Sequence, residues 1–143
     1  MFDYNDNKIL FSHGGYGYAE KAQSKDDVFG KILSINTNDG TSKIISMGHR
    51  NPQGMILQEN EQKEKFIIST EHGPKGGDEI NIIKTKLDDE IQNFGWPISS
   101  YGEHYDGKFR PEAPLKKSHS DNGFVEPIHF FDKNYHGISA IHN

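Results

Sequence analysis

The sequence predicts an all-β protein, and two observations support this prediction. Its apolar stretches are short and are bounded by glycine, proline and asparagine; Met55 to Leu57 and Phe66 to Ile68 are the clearest examples. Runs of this length between turn-forming residues are typical of strands. Only 32% of the residues are hydrophobic, while 15 glycines and 6 prolines supply many turns. That composition suits strands joined by tight connections.

A faint internal repeat narrows the fold class. KILFSHGG at 8–15 resembles KFIISTEHGP at 65–74. Repeats of about 40–50 residues are typical of β-propeller blades. A chain of 143 residues would hold two to three of them, fewer than the roughly 4–8 with which propellers close.

The predicted elements follow from the same signals. One helical turn is expected within Ala19 to Asp27, and a short helix or irregular loop within Thr85 to Gln92. Strands are expected at Lys8 to Ser12, Lys31 to Ile35, Lys43 to Met47, Met55 to Gln58, Lys65 to Thr70, Glu79 to Ile83, Pro127 to Phe131 and Gly137 to His142.

The segment 99–123 is long, polar and aromatic, without apolar periodicity. A loop of that length inside a small domain is usually functional or mobile. Trp96, just before it, is expected in the core. Six histidines have no matched role and are expected at the surface or in loops: His13, His104, His119, His129, His136 and His142.

Two polar clusters flank the strands of a predicted hairpin. GHRNPQG at 48–54 precedes one strand, and EHGPKGGDE at 71–79 follows the next. In a hairpin the start of one strand lies beside the end of the other, so both clusters would share one edge of the sheet. Arginine and asparagine donors together with glycine-exposed carbonyls would suit a planar, oxygen-rich anion bound with calcium.

Composition excludes several classes. The net charge is −5 without a basic block, which disfavours nucleic-acid binding. There is no cysteine, hence no disulfide or thiolate metal site. No stretch approaches the roughly 20 apolar residues of a membrane span, and the N-terminal residues lack the apolar core of a signal peptide.

The clusters resemble the glucose/sorbosone dehydrogenase family, the soluble quinoprotein sugar dehydrogenases, and the aldose sugar dehydrogenase branch most closely. The resemblance rests on GHRNPQGM at 48–55, EHGPKGGDEINII at 71–83 and FGWP at 94–97, in the family's order and at nearly its spacing. It implies that residues 1–143 form the central part of a six-bladed propeller domain, with the long loop at 99–123.

The resemblance also implies an activity, in which the C1 hydroxyl of an aldose is oxidised by hydride transfer to pyrroloquinoline quinone (PQQ), assisted by calcium. Arg50 (the catalytic residue) and Asn51 would contact the reactive quinone oxygens, with His72 beside the cofactor. The carbonyls of Gly73 and Pro74, with Asp78 near the ion's solvent shell, would hold the cofactor calcium. Glu79 and the carbonyl of Phe94 would belong to a second, structural calcium site.

Simpler roles stay open for each residue. Arg50 could pair with Glu71 or Asp78, and His72 could be an ordinary loop histidine. Asp78 and Glu79 could cap a turn or be solvated. Gly73 and Pro74 could serve turn geometry alone.

Two other functions also stay open: a non-catalytic propeller binding module of the same superfamily, and a calcium-dependent lactonase-like hydrolase. By resemblance we expect a periplasmic or secreted enzyme with a soluble electron acceptor. Its general base would lie upstream of Met1 and further cofactor-binding cations downstream of Asn143, so that this chain alone would be inactive.

Overall fold

The computed structural model describes residues 2–5, 7–85, 90–132, 137–139 and 141, and the described residues form two β-sheets. The first sheet has the strand order β1-β2-β3-β4-β8, and the second has the order β5-β6-β7-β9. The strands are β1 (Phe2–Asn5), β2 (Lys8–His13), β3 (Lys31–Asn36), β4 (Ser42–Met47), β5 (Pro52–Glu59), β6 (Lys65–Glu71), β7 (Glu79–Lys84), β8 (Gln92–Asn93) and β9 (His129–Phe130).

No α-helix occurs among the described residues, and two short 3-10 helices span Ala19–Gln23 and Ser120–Asn122. The all-β prediction is therefore confirmed, as are the six strands expected between residues 8 and 83. The helical turn expected within 19–27 is the first 3-10 helix. Sequence reasoning missed β1, which completes the first sheet by antiparallel pairing with β2.

Three expectations fail or shrink. The strand at 127–131 is reduced to β9. Residues 137–139 and 141 are not in a strand; the Ile138 N–H, which a strand would direct to a neighbouring strand, donates to the Asp78 carboxylate (3.2 Å). Residues 140 and 142 lie outside the described part. Within 85–92, Gln92 belongs to β8 and pairs in parallel with β4, whereas residues 86–89 are outside the description.

The register of the second sheet brings both polar clusters to one edge. β5 and β6 form an antiparallel hairpin in which Pro52 lies opposite Glu71. β7 pairs with β6 so that Glu79 also lies opposite Glu71. The start of β5, the end of β6 and the start of β7 therefore meet, as the hairpin argument predicts.

The core draws on both sheets. Its buried members are Leu10, Ile32, Met55, Ile67, Ile83 and Phe94. Burying side chains of this size stabilises a fold by roughly 1.5–3 kcal/mol each. Phe94 follows β8 and is 1% exposed, so the segment after that strand is fixed to the core.

Backbone hydrogen bonds hold the long loop at 99–123 against the polar cluster at 71–79. Lys75 and Glu103 exchange two backbone hydrogen bonds of 3.0 Å. Gly77, at φ +69°, lies so close to Gly102 that a Cβ atom would clash with the Gly102 backbone. Glycine is therefore required where these two loops meet.

The buried Lys31 side chain fixes the segment that contains the first 3-10 helix, Ala19–Gln23. The Nζ atom of Lys31 donates to the carbonyls of Lys21 (3.0 Å), Ala22 (3.0 Å) and Phe29 (2.7 Å). Burial lowers the pKa of Lys31 to about 8, although Asp27 acts in the opposite direction. The three bonds hold the 3-10 segment against β3 and thereby place the preceding loop at 14–18.

Candidate functional site

The Glu71 carboxylate organises the edge. It is 3% exposed, and its Oε2 atom lies 2.9 Å from Nδ1 of the fully buried His49. Its Oε1 atom accepts the backbone N–H groups of Arg50 and Asn51, the latter at 3.3 Å. Nε2 of His49 is in turn 2.8 Å from Oγ of Ser46. One buried acid therefore fixes the backbone that presents Arg50 and Asn51.

The Arg50 side chain points along this edge. Its Nη1 atom donates to the carbonyl of His72 (2.9 Å), and its guanidinium lies 5.4 Å from the centre of the Trp96 ring. A cation at this distance from an indole is attracted by the ring's negative face. Within the described residues no ion pair includes Arg50, so the alternative of pairing with Glu71 or Asp78 has no support.

Asn51 and His72 lie beside Arg50. The His72 N–H donates to the Asn51 carbonyl (3.0 Å), and Nδ2 of Asn51 is 3.4 Å from Nδ1 of His72. Nε2 of His72 is buried and has no hydrogen-bond partner among the described residues. Gly137 covers it so closely that a Cβ there would lie 2.6 Å away. The structure thus brings the three predicted cofactor-binding residues together.

The loop from Gly73 to Asp78 presents carbonyl groups. Asp78 closes it, because Oδ1 accepts the Gly73 N–H (2.9 Å). Asp78 therefore caps a turn, the simpler of its two possible roles. Both Gly73 and Pro74 are buried, and no described donor bonds to their carbonyl oxygens. No group of three or more His, Asp or Glu side chains suited to a metal occurs in the described part. A cation here would rest mainly on these carbonyls, as calcium often does.

Glu79 and Phe94 are joined by a histidine. Nδ1 of His119 is 2.8 Å from the Phe94 carbonyl, and Nε2 lies 3.2 Å from Oε1 of Glu79, although at a poor hydrogen-bonding angle. His119 is 1% exposed, so it is a loop histidine, as one of the two expectations allowed, but it is buried and does not lie at the surface. Since an imidazole lies between the two predicted ligands, the geometry fits a histidine-bridged pair better than a cation.

Burial penalises the negative charge of Glu79, and the neighbouring His119 side chain offsets part of that penalty. Burial raises the pKa of Glu79, and the carboxylate of Glu71 adds to the effect. Burial acts to lower the pKa of His119, but the Glu79 carboxylate outweighs it and the pKa is raised. Both groups therefore hold protons more tightly in the folded state.

Tyr101 links the long loop to this network, and sequence reasoning missed it. Its ring stacks on His119 (5.3 Å between centroids) and on Phe130 (3.7 Å). Its hydroxyl donates to Glu126. Burial, followed by this hydrogen bond, raises the pKa of Tyr101 to about 12. A tyrosine in a loop without periodicity gives no sequence signal for such stacking.

A cleft of about 760 Å³ opens beside Arg50. Its walls come from residues of segment 15–20, from Arg50, Asn51, Pro74 and Trp96, and from residues of segment 104–113. Trp96 is only half-buried, so its expected core position is wrong. Of the eight predicted site residues, Arg50, Asn51 and Pro74 line the cleft; the other five do not, namely His72, Gly73, Asp78, Glu79 and Phe94.

The family model of the glucose/sorbosone dehydrogenases matches residues 1–142. The chain belongs to this family. The aldose sugar dehydrogenase YliI of Escherichia coli is 36% identical over 107 residues, which cover 75% of this chain and 26% of that protein. The quinoprotein glucose dehydrogenase B of Acinetobacter calcoaceticus is 34% identical over 79 residues, 48% of this chain and 15% of that protein.

Solved structures agree with this family assignment. A glucose dehydrogenase crystal structure superposes with a TM-score of 0.67 at 30% identity, covering 87% of this chain and 37% of that one. The chain spans about a quarter of the length of the aldose sugar dehydrogenase it matches. Among the described residues, no helix has the length and apolar character needed to cross a membrane.

We predict that His119→Phe destabilises the protein. Phenylalanine keeps the stacking on Tyr101 but leaves Glu79 buried without its partner, which typically costs about 3 kcal/mol. The folded-state pKa of Glu79 is raised, so the cost is small at acidic pH and grows as pH rises through that pKa. Urea denaturation at several pH values, in the presence of a chelator, measures it.

Two variants serve as controls for this prediction. Adding Glu79→Gln to His119→Phe removes the buried charge and should recover much of the loss. His129→Phe, at an exposed position, should be nearly neutral. A pH-independent loss that Glu79→Gln does not relieve would contradict the ion-pair interpretation.

Proposed function

We propose that this chain forms the cofactor-binding blades of a six-bladed propeller in a PQQ-dependent aldose sugar dehydrogenase. The observation that supports this proposal best is the position of the Arg50 side chain. Arg50 lies on a cleft wall, held over Trp96 and against the His72 carbonyl. Its own backbone N–H and that of Asn51 both donate to the buried Glu71 carboxylate. The similarity to a quinoprotein glucose dehydrogenase and to an aldose sugar dehydrogenase also supports this proposal.

The residues present fit a calcium-assisted quinone. The carbonyls of two consecutive buried residues, Gly73 and Pro74, lack donors among the described residues, and Pro74 also lines the cleft beside Arg50. Carbonyl oxygens are ligands that calcium prefers. Asp78 places them by bonding the Gly73 N–H. We infer that these two carbonyls hold the cofactor calcium and that Arg50 and Asn51 face the quinone oxygens.

Arg50 and Asn51 would act by position and charge. One guanidinium N–H is committed to the His72 carbonyl, which leaves other donors of the planar fork for an oxygen in the cleft. Fixed donors directed at developing negative charge are a large contribution to many rate enhancements. Asn51 is oriented by the ring of His72, so His72 would act as a positioning residue.

The chemistry itself belongs to the cofactor. When bound, PQQ would accept the hydride that leaves C1 of the aldose while the hydroxyl proton passes to a base, giving the lactone. We propose that the base comes from a part of the protein outside this chain, that a soluble acceptor takes up the electrons, and that the enzyme works in the periplasm or outside the cell.

We predict that Arg50→Lys lowers turnover of the complete protein, reconstituted with PQQ and calcium, on the order of 100-fold. Lysine keeps the charge but loses the fork that bonds the His72 carbonyl and a cleft oxygen together. Cofactor affinity, titrated separately, should fall much less, because the calcium carbonyls are unchanged. A variant that binds the cofactor normally and oxidises aldoses at the wild-type rate would remove Arg50 from the catalytic machinery.

We also predict that Gly73→Ala abolishes calcium binding at the Gly73–Pro74 carbonyls. Its Cβ would clash with the carbonyl of Gly77 and force the loop apart. Calcium at 100-fold its Kd stabilises a protein by about 2.7 kcal/mol, so the wild-type Tm should rise with calcium and that of the variant should not. Gly40→Ala, at a turn with open space, should keep the calcium shift whatever its basal Tm. An undiminished shift in Gly73→Ala would refute the carbonyl site.

A further inference from the structure

A pair of amide side chains lies directly behind the segment that carries Trp96. Nδ2 of Asn93 donates to Oε1 of Gln23 (2.8 Å), and Nε2 of Gln23 donates back to Oδ1 of Asn93 (3.2 Å). The same Nε2 atom donates to the backbone carbonyl of Trp96 (2.6 Å). The nitrogen and the oxygen of the Gln23 amide are therefore both used, and neither Gln23 nor Asn93 lines the cleft.

Gln23 approaches Trp96 from a fixed backbone. It ends the 3-10 helix Ala19–Gln23, and Nζ of the buried Lys31 donates to the carbonyl of the preceding Ala22 (3.0 Å). That carbonyl also accepts the N–H of Gly48 (3.1 Å), the first residue of the polar cluster at 48–54. Because its backbone is held in this way, the Gln23 amide needs little further ordering to bond the Trp96 carbonyl.

Hydrogen bonds hold the Trp96 backbone from two directions. Its N–H donates to the carbonyl of Gly48 (2.9 Å), and its carbonyl accepts the N–H of the Gln23 amide. Oδ1 of Asn93 also accepts the N–H of Gly95 (3.0 Å), so the turn at 93–96 is closed around the amide pair. The direction in which the Trp96 side chain leaves the backbone therefore depends on Gln23.

The Trp96 ring is one of two contacts that orient Arg50. The guanidinium lies 5.4 Å from the centre of the ring, and its Nη1 atom donates to the carbonyl of His72 (2.9 Å). The first contact comes from the turn after β8 and the second from the residue after β6, so the two are set independently. A guanidinium that loses its ring contact keeps its charge but can rotate about the remaining bond. Fewer molecules then hold its free donors in the productive direction.

We propose that Gln23 is a positioning residue of the dehydrogenase site, whose amide fixes the Trp96 backbone and thereby the orientation of the Arg50 guanidinium. Asn93 keeps the amide in the orientation that directs an N–H group at the Trp96 carbonyl. Gln23 does not line the cleft, so it acts through Trp96. This inference rests on the proposed function, since a rate effect requires the reaction in which Arg50 stabilises charge.

Gln23→Met tests this role in the complete protein reconstituted with PQQ and calcium. Methionine has a similar length but cannot donate to the Trp96 carbonyl. We expect kcat for glucose to fall roughly tenfold, the order of one cation–π contact, while KM and the Kd for PQQ stay within about twofold because the cleft residues are unchanged. Gln92→Met is the matched control and should keep the wild-type kcat, because Gln92 lies beside Asn93 in β8 but accepts the N–H of Lys84 (2.7 Å).

A double-mutant cycle separates positioning from general support of the fold. If Gln23 acts through Arg50, the two effects are not additive, so adding Gln23→Met to Arg50→Ala should change kcat less than about twofold. Gln23→Met that lowers kcat equally in both backgrounds, or in neither, would overturn the positioning role. If Gln23→Met does not fold, Gln23→Glu takes its place with the same expected results. It keeps the shape and the oxygen that accepts the Asn93 N–H group, but loses the donor for the Trp96 carbonyl.

A fluorine signal gives a readout that does not depend on turnover. The complete protein is labelled with fluorotryptophan and studied without cofactor, and the Trp96 resonance is assigned as the one lost in Trp96→Phe. We expect this resonance to shift in Gln23→Met and in Arg50→Ala but not in Gln92→Met. An unchanged resonance in Gln23→Met would overturn the inference. If the wild-type protein oxidises no aldose, the proposed function is wrong; a shift in Gln23→Met then still upholds the control of Trp96 by Gln23, and its absence overturns it.

Discussion

The described site depends on one buried carboxylate. Glu71 ends β6, and its two oxygens bond the ring of His49 and the backbone N–H groups of Arg50 and Asn51. A buried acid that accepts several donors is stabilised by them, whereas removing it would leave those donors unpaired at a cost of about 1–3 kcal/mol each. The direction in which Arg50 leaves the backbone therefore follows from a residue that touches no cleft surface.

The pairing register of β5, β6 and β7 and the close approach of two loops also fix the position of the site residues. Because Glu71 lies opposite both Pro52 and Glu79, any slip in pairing would move the acid away from His49. The long loop adds a second layer, since Gly77 and Gly102 bring two backbones into contact that side chains would separate. The cleft walls are thus held by hydrogen bonds and close backbone contact.

Much of this architecture follows from the sequence, because short apolar runs and turn residues report strands directly. The shared edge was predictable from hairpin geometry alone. The role of Glu71 as an acceptor of backbone N–H groups was not, because a single acid beside an arginine suggests an ion pair first. His119 and Tyr101 were missed for a related reason: their partners, Glu79 and Phe130, are distant in sequence, and stacking between loops has no periodicity.

Amide hydrogen exchange in Glu71→Gln tests this dependence most directly. The glutamine keeps the shape but loses the charge and one acceptor, so we expect protection of the Arg50 and Asn51 amides to fall roughly tenfold or more. The amide of Ile67, in the middle of β6, should keep its protection and so report that the sheet is intact. If the Arg50 and Asn51 amides exchange at the wild-type rate in this variant, Glu71 does not hold the edge and the account of the site is wrong.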